Sequence, residues 1–88
     1  MADAVEDILN ERERTHGDYP VQSATAQILK AAMREMPNWF SMPSYMKESL
    51  EMIATKIARM GHGDCHNSEH SLDGAGYFQL ITRELEKK

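Results

Sequence analysis

SYMKESLEMIATKIARM, residues 44–60, decides the fold class of this chain. Tyr45, Met46, Leu50, Ile53, Ile57 and Met60 recur there at alternating three- and four-residue spacings, which sets them in one stripe along a helix. Ser41-Met-Pro43-Ser44 supplies a start signal with Ser44 as the expected N-cap, and Gly61-His62-Gly63 ends the run. So long an apolar stripe needs other helices to cover it, and the flanking sequence offers them.

Upstream, residues 21–36 carry Ala24, Ile28, Ala31 and Ala32 near one face, with Leu29, Met33 and Met36 alongside, until Pro37 stops the pattern. Trp39 and Phe40 follow in a short connection and are expected to pack over one end of a bundle; base stacking is the alternative. Further back, residues 2–14 place Val5, Ile8 and Leu9 on one helical face. Gly17 is suited to close that helix, Asp18 to cap the next, and Pro20 to sit in its first turn. Downstream, Asn67 or Ser68 would cap a fourth helix over about 69–86, whose apolar side is marked by Leu72, Ala75, Phe78, Ile81 and Leu85. Gly74 and Gly76 inside it each cost about 1 kcal/mol relative to alanine. Such a pair predicts that another helix or a ligand comes close. Little reads as strand, and no repeat or linker interrupts the chain. The expectation is an all-α, compact bundle of about four helices forming a single domain over residues 1–88.

Composition sets the class of partner. The chain has 88 residues, and chains this short bury only about 60–65% of their unfolded surface, so completion by a homo-oligomer is expected. Seven methionines suit an adaptable core or interface. A net charge of −4 argues against sequence-independent nucleic-acid binding. No apolar run approaches the roughly 20 residues that span a bilayer, and residues 1–6 lack the features of a signal peptide. A single cysteine, Cys65, fits a reducing, cytoplasmic setting.

Glu48 and Glu51 lie one turn apart on one helical face, where like charges repel by a few tenths of a kcal/mol. Water offsets that cost on a solvated acidic face; a divalent cation offsets it at a site, and Mg²⁺ favours such hard oxygen ligands. Glu69, His70 and Asp73 on the fourth helix could answer the pair. Lys47, Lys56 and Arg59 share the third helix with the two acids, which suits a metal-bound polyphosphate, although they also read as solvated helix ends or as partners of Glu48 and Glu51. Arg12 and His16, at the end of the first helix, could add positive contacts.

Glu48-Ser-Leu-Glu51, followed after an 18-residue gap by His70-Ser-Leu-Asp73, resembles the ExxE…ExxD signature of the MazG-like all-α NTP pyrophosphohydrolases. Three stretches, Ile8-Leu-x-Glu11-Arg12-x-x-Thr15-His16-Gly17-Asp18, Leu50-Glu51-Met-Ile-Ala-x-Lys56-Ile-Ala-Arg59 and Asp73-Gly-Ala-Gly76-Tyr77, are similar to a group of small phage-encoded proteins of uncharacterised function. The resemblance implies Mg²⁺-dependent (or Mn²⁺-dependent) attack of water on an NTP or dNTP, releasing the nucleoside monophosphate and pyrophosphate. It implies Glu48, Glu51 and Asp73 as catalytic metal ligands, with Glu69 or His70 completing the shell. Lys56, Arg59, Arg12 and His16 would then contact the substrate, and a homodimer or homotetramer would complete the site. His70 stands where the signature has glutamate. That departure opens the alternative of a non-catalytic phage accessory protein that binds a nucleotide or a host protein.

His62, Cys65, His66 and His70 cluster within nine residues. Zinc sites use such ligands, but neither CxxC nor HExxH is present, and a polar loop that caps the fourth helix accounts for them as well.

Overall fold

The structure is a computed structural model that describes residues 2–87. Four α-helices follow one another: α1 (Ala2–His16), α2 (Tyr19–Arg34), α3 (Ser44–His62) and α4 (Ser68–Leu85), with a 3-10 turn at Trp39–Ser41 between α2 and α3. The described residues hold no strand. The periodicity at residues 44–60 therefore marks a helix, and that helix is central: α3 packs most extensively against α4 and α2, and only thinly against α1.

Local chemistry sets the element ends. Asp18 and Asn67 occupy N-cap positions with extended backbone, but only Asn67 caps through its side chain, which accepts the Glu69 N–H at 3.0 Å. Pro43, not Ser44, is the N-cap of α3; Ser44 is its first helical residue, because proline already fixes the extended conformation required there. Gly17 takes φ +87° and its N–H donates to the Glu13 carbonyl at 2.8 Å, closing α1.

Glycine has a second use at this corner. A methyl group on Gly17 would stand 2.4 Å from the His62 carbonyl oxygen, and one on Gly63 would stand 2.2 Å from the Thr15 carbonyl oxygen. The α1–α2 corner is thus pressed against the C-terminus of α3 with no room for a Cβ on either side. The Asp64 N–H donates to the Thr15 carbonyl at 3.0 Å across that contact.

The core is thin. Its buried apolar residues are Ala26, Trp39, Ala54, Ala58 and Ile81, joined by Gln22, Ser49 and His70, and among the described residues no large side chain is fully buried. On α3 the closest contacts fall on Ala54 and Ala58, each 1% exposed, while the predicted stripe is half-buried and Ile57 is exposed. Small residues admit neighbouring backbones, so the larger ones splay to the sides of the crossing. Trp39 packs as expected; Phe40 does not, at 89% exposure. On α4 only Ile81 of the predicted apolar side is buried, whereas Leu72, Phe78 and Leu85 face outward. Val5, Ile8 and Leu9 of α1 are exposed too, and nothing stands within 4 Å of where a Cβ on Gly74 or Gly76 would lie. The chain is elongated, 48 × 27 × 26 Å, with a radius of gyration of 15.1 Å against about 12 Å for a compact chain of this length. Among the described residues no helix is long and apolar enough to cross a membrane.

Candidate functional site

The tight corner at Gly17 turns the end of α1 back over α3, and a cleft of about 620 Å³ opens between them. Arg12 and His16, one turn apart on α1, face Lys56 and Arg59, one turn apart on α3. Tyr19 and Gln22 from the first turn of α2, Leu9, and Asp73 from α4 complete the walls. The four basic residues proposed from sequence for a phosphate chain are thus brought together by the approach of α1 to α3. Arg14, between them in sequence, points elsewhere and pairs with Glu11 on the exposed side of α1.

Charge in the cleft is layered. Lys56 is sunk to 13% side-chain exposure, and Arg59 is half-buried with its Nε sealed from solvent and without a hydrogen-bond partner. Glu13 and Asp18 line the same space but are exposed, as is Asp73, whose Oδ2 lies 3.2 Å from Lys56 Nζ. Lys56 and Arg59 therefore form the floor, and the acids, with the exposed Arg12, form the rim. Buried charges act through a lower dielectric than exposed ones, so the floor dominates the field inside. His16 records it: burial is the first cause that holds its pKa below the ordinary imidazole value, followed by the positive groups of Arg59, His70, Lys56 and Arg12.

The proposed metal ligands are dispersed by comparison. Glu48 and Glu69 are exposed. Glu51 accepts a hydrogen bond from Arg34 Nη2 of α2 at 2.7 Å, and Asp73 is engaged by Lys56. His70, 3% exposed, uses Nε2 to donate to the Thr15 carbonyl at 2.8 Å and stacks at a tilt 5.4 Å from the His16 ring. Among the described residues no three His, Cys, Asp or Glu side chains are gathered so as to hold a metal ion. The cause is helix register. The short loop makes α3 and α4 antiparallel, and the Lys56–Asp73 pair fixes which residues face each other. Glu51 lies five positions before Lys56, about 7.5 Å along the axis, so α4 meets it well beyond Asp73. Among the described residues, Glu48, Glu51, Glu69, His70 and Asp73 are therefore not gathered at one point.

The histidine-rich loop resolves into structural contacts. Thr25 Oγ1 and His62 Nε2 are 2.7 Å apart, tying α2 to α3, and the Asp64 carboxylate accepts the His66 N–H at 3.0 Å. Cys65 is a free, exposed thiol. Tyr19 and Gln22 were not among the residues read as functional; their signal is one turn of spacing at the start of α2, visible only once Gly17 is known to fold that turn against α3. No protein-family model matches the chain, and neither the curated proteins nor the solved structures yield a match, so the MazG-like resemblance stands on the quoted residues alone.

Proposed function

We propose that the protein binds the phosphate chain of a nucleotide in the cleft between α1 and α3, as a MazG-like helical protein that need not turn its ligand over. One observation carries the reading: Arg59 holds a buried Nε donor with no partner in the wall of a cleft that also holds the part-buried Lys56 and His16, with the exposed Arg12 at its edge. A buried donor without an acceptor costs about 1–3 kcal/mol, and a phosphate oxygen removes that cost with a charge-assisted bond. The exposed ring of Tyr19 and the amide of Gln22 add an aromatic face and a hydrogen-bonding group to the same cleft, as a nucleoside would require.

Calorimetric titration with NTPs, dNTPs, pyrophosphate and unphosphorylated nucleosides tests it. Saturable binding should follow the phosphates, fail for nucleosides, and weaken at least about tenfold in Lys56→Met or Arg59→Met, the scale of one lost charge-assisted bond. Binding of none of the phosphates by the folded protein would sink the proposal. Mg²⁺- or Mn²⁺-dependent pyrophosphohydrolysis is the second reading, favoured by the acids Asp73, Glu13 and Asp18 on the rim of that cleft. It requires pyrophosphate release that needs the metal and disappears in Asp73→Asn.

A further inference from the structure

We propose that Gln22 reads the base of the bound nucleotide, and that the cleft favours bases with a ring carbonyl at the edge it meets (guanine, uracil) over those with an amino group there (adenine, cytosine). This selectivity presupposes the phosphate-binding cleft between α1 and α3 and adds which nucleosides the cleft admits.

Gln22 is only 4% exposed, yet among the described residues its carboxamide forms no hydrogen bond. Polar groups at such depth are ordinarily paired. Its amide atoms are not sealed as Arg59 Nε is, so the little exposure that Gln22 keeps lies at the amide, and the space it meets is the cleft. The same cleft holds the part-buried Lys56 and Arg59, which carry donors and no acceptor. An amide dipole orients in the field of neighbouring charges. The Gln22 oxygen therefore turns to the cations, and its NH₂ group is left for the ligand.

Tyr19 supplies the other half of the subsite. It precedes Gln22 by one turn of α2, about 4.5 Å along the axis, and its ring is exposed in the cleft mouth. A base stacked on that ring directs its edge down the cleft to Gln22. Stacking does not discriminate, because every base has a π-face, so the choice falls to the amide. A carbonyl at the base edge accepts from Gln22 Nε2. An amino group there sets donor against donor, and the amide could meet it only by turning its own NH₂ onto the cations. A site built to pair one group rejects the analogue that leaves it unpaired.

Calorimetric titration of the wild-type chain, Gln22→Met and Gln22→Glu with GTP, ATP, UTP, CTP and pyrophosphate tests this, with circular dichroism to show that each variant is folded. The wild-type chain should bind GTP and UTP about tenfold or more tighter than ATP and CTP, within the range that one well-paired base edge provides. Gln22→Met keeps the length of the side chain and removes the amide, so it should level the four nucleotides and keep the affinity for pyrophosphate. Gln22→Glu, whose carboxylate only accepts, should shift the preference toward ATP and CTP. Pyrophosphate bound without any preference among the four nucleotides overturns the assignment of Gln22 and leaves the phosphate cleft standing. A preference that survives in folded Gln22→Met overturns it as well. Failure to bind pyrophosphate or any nucleotide removes the cleft and the selectivity together. The wild-type comparison decides even where a variant does not fold.

Discussion

His70 Nε2 lies 2.8 Å from the main-chain carbonyl oxygen of Thr15, joining the first turn of α4 to the last turn of α1 across 55 residues of sequence. A carbonyl oxygen only accepts, so Nε2 carries the proton and this nitrogen is spent on the fold. The Asp64 N–H shares the same carbonyl, so one oxygen gathers α1, the α3–α4 loop and α4. The residue standing where the signature expects a glutamate is thus a buried structural histidine. His70→Ala should lower stability by about 2 kcal/mol, from a cavity and a lost hydrogen bond, with Thr15 still bonded through Asp64. Urea denaturation with and without Mg²⁺ checks this, and a destabilisation present only with the metal would assign His70 to a metal shell instead.

The glycines should divide sharply. Gly17→Ala meets both a positive φ and a contact of 2.4 Å with backbone, and Gly63→Ala meets the Thr15 carbonyl oxygen at 2.2 Å. Neither neighbour is a flexible side chain, so each substitution should cost at least about 2 kcal/mol and open the cleft that the corner defines. Gly74→Ala fills open space inside a helix and should raise stability by up to about 1 kcal/mol. Thermal melts of the three variants order them.

That contrast shows how the sequence could be read and where it stopped. Helix positions were legible to within a few residues, because spacing in α3, Pro37, Gly17 and Asn67 are local signals. The contact faces were not. Ala54 and Ala58 are the most deeply buried residues of α3 because they are small, whereas the apolar periodicity rests on Leu50, Ile53 and Ile57. The basic set was legible since Arg12 with His16 and Lys56 with Arg59 are each one turn apart on a single helix. The acidic set spans two helices, and its meeting depended on a register that only the Lys56–Asp73 contact reveals.

His16 makes the cleft sensitive to pH. Its folded-state pKa lies below the ordinary imidazole value, chiefly through burial and then through Arg59, His70, Lys56 and Arg12. The unfolded chain therefore binds more protons over the interval between the two values. Its contribution to stability is full above about pH 6.5 and is lost as pH falls from there toward the lower folded value. A bound phosphate reverses the field at the ring and draws its pKa back up. Phosphate affinity should thus rise on acidification over the same interval, with proton uptake on binding, and His16→Gln should flatten both profiles. Calorimetry in buffers of different ionisation enthalpy reads the uptake.

Glu51 pairs with Arg34 with 23% and 48% of the respective side chains exposed, so the pair should contribute no more than about 0.5–1 kcal/mol. A double-mutant cycle with Glu51→Gln and Arg34→Gln should return a coupling of that size. Nucleotide binding should be unchanged in Glu51→Gln, because Glu51 lies outside the cleft. Loss of binding in that variant would restore the acidic pair to the site.

Asp73 decides between holding a ligand and transforming it. Its carboxylate sits 3.2 Å from the Lys56 ammonium and competes with any phosphate for it. Asp73→Asn keeps the shape, removes the competing charge and leaves Lys56 free for the ligand. If the cleft only binds, nucleotide affinity should rise about three- to tenfold, the effect of roughly 0.7–1.4 kcal/mol of relieved competition at a partly exposed pair. The gain should vanish in the Asp73→Asn, Lys56→Met double variant, since it is routed through the ammonium. If Asp73 instead serves the chemistry, the single variant should hold its nucleotide without releasing pyrophosphate. One titration and one pyrophosphate assay on the same preparation separate the two, because competition for Lys56 changes the first and leaves no turnover to lose in the second.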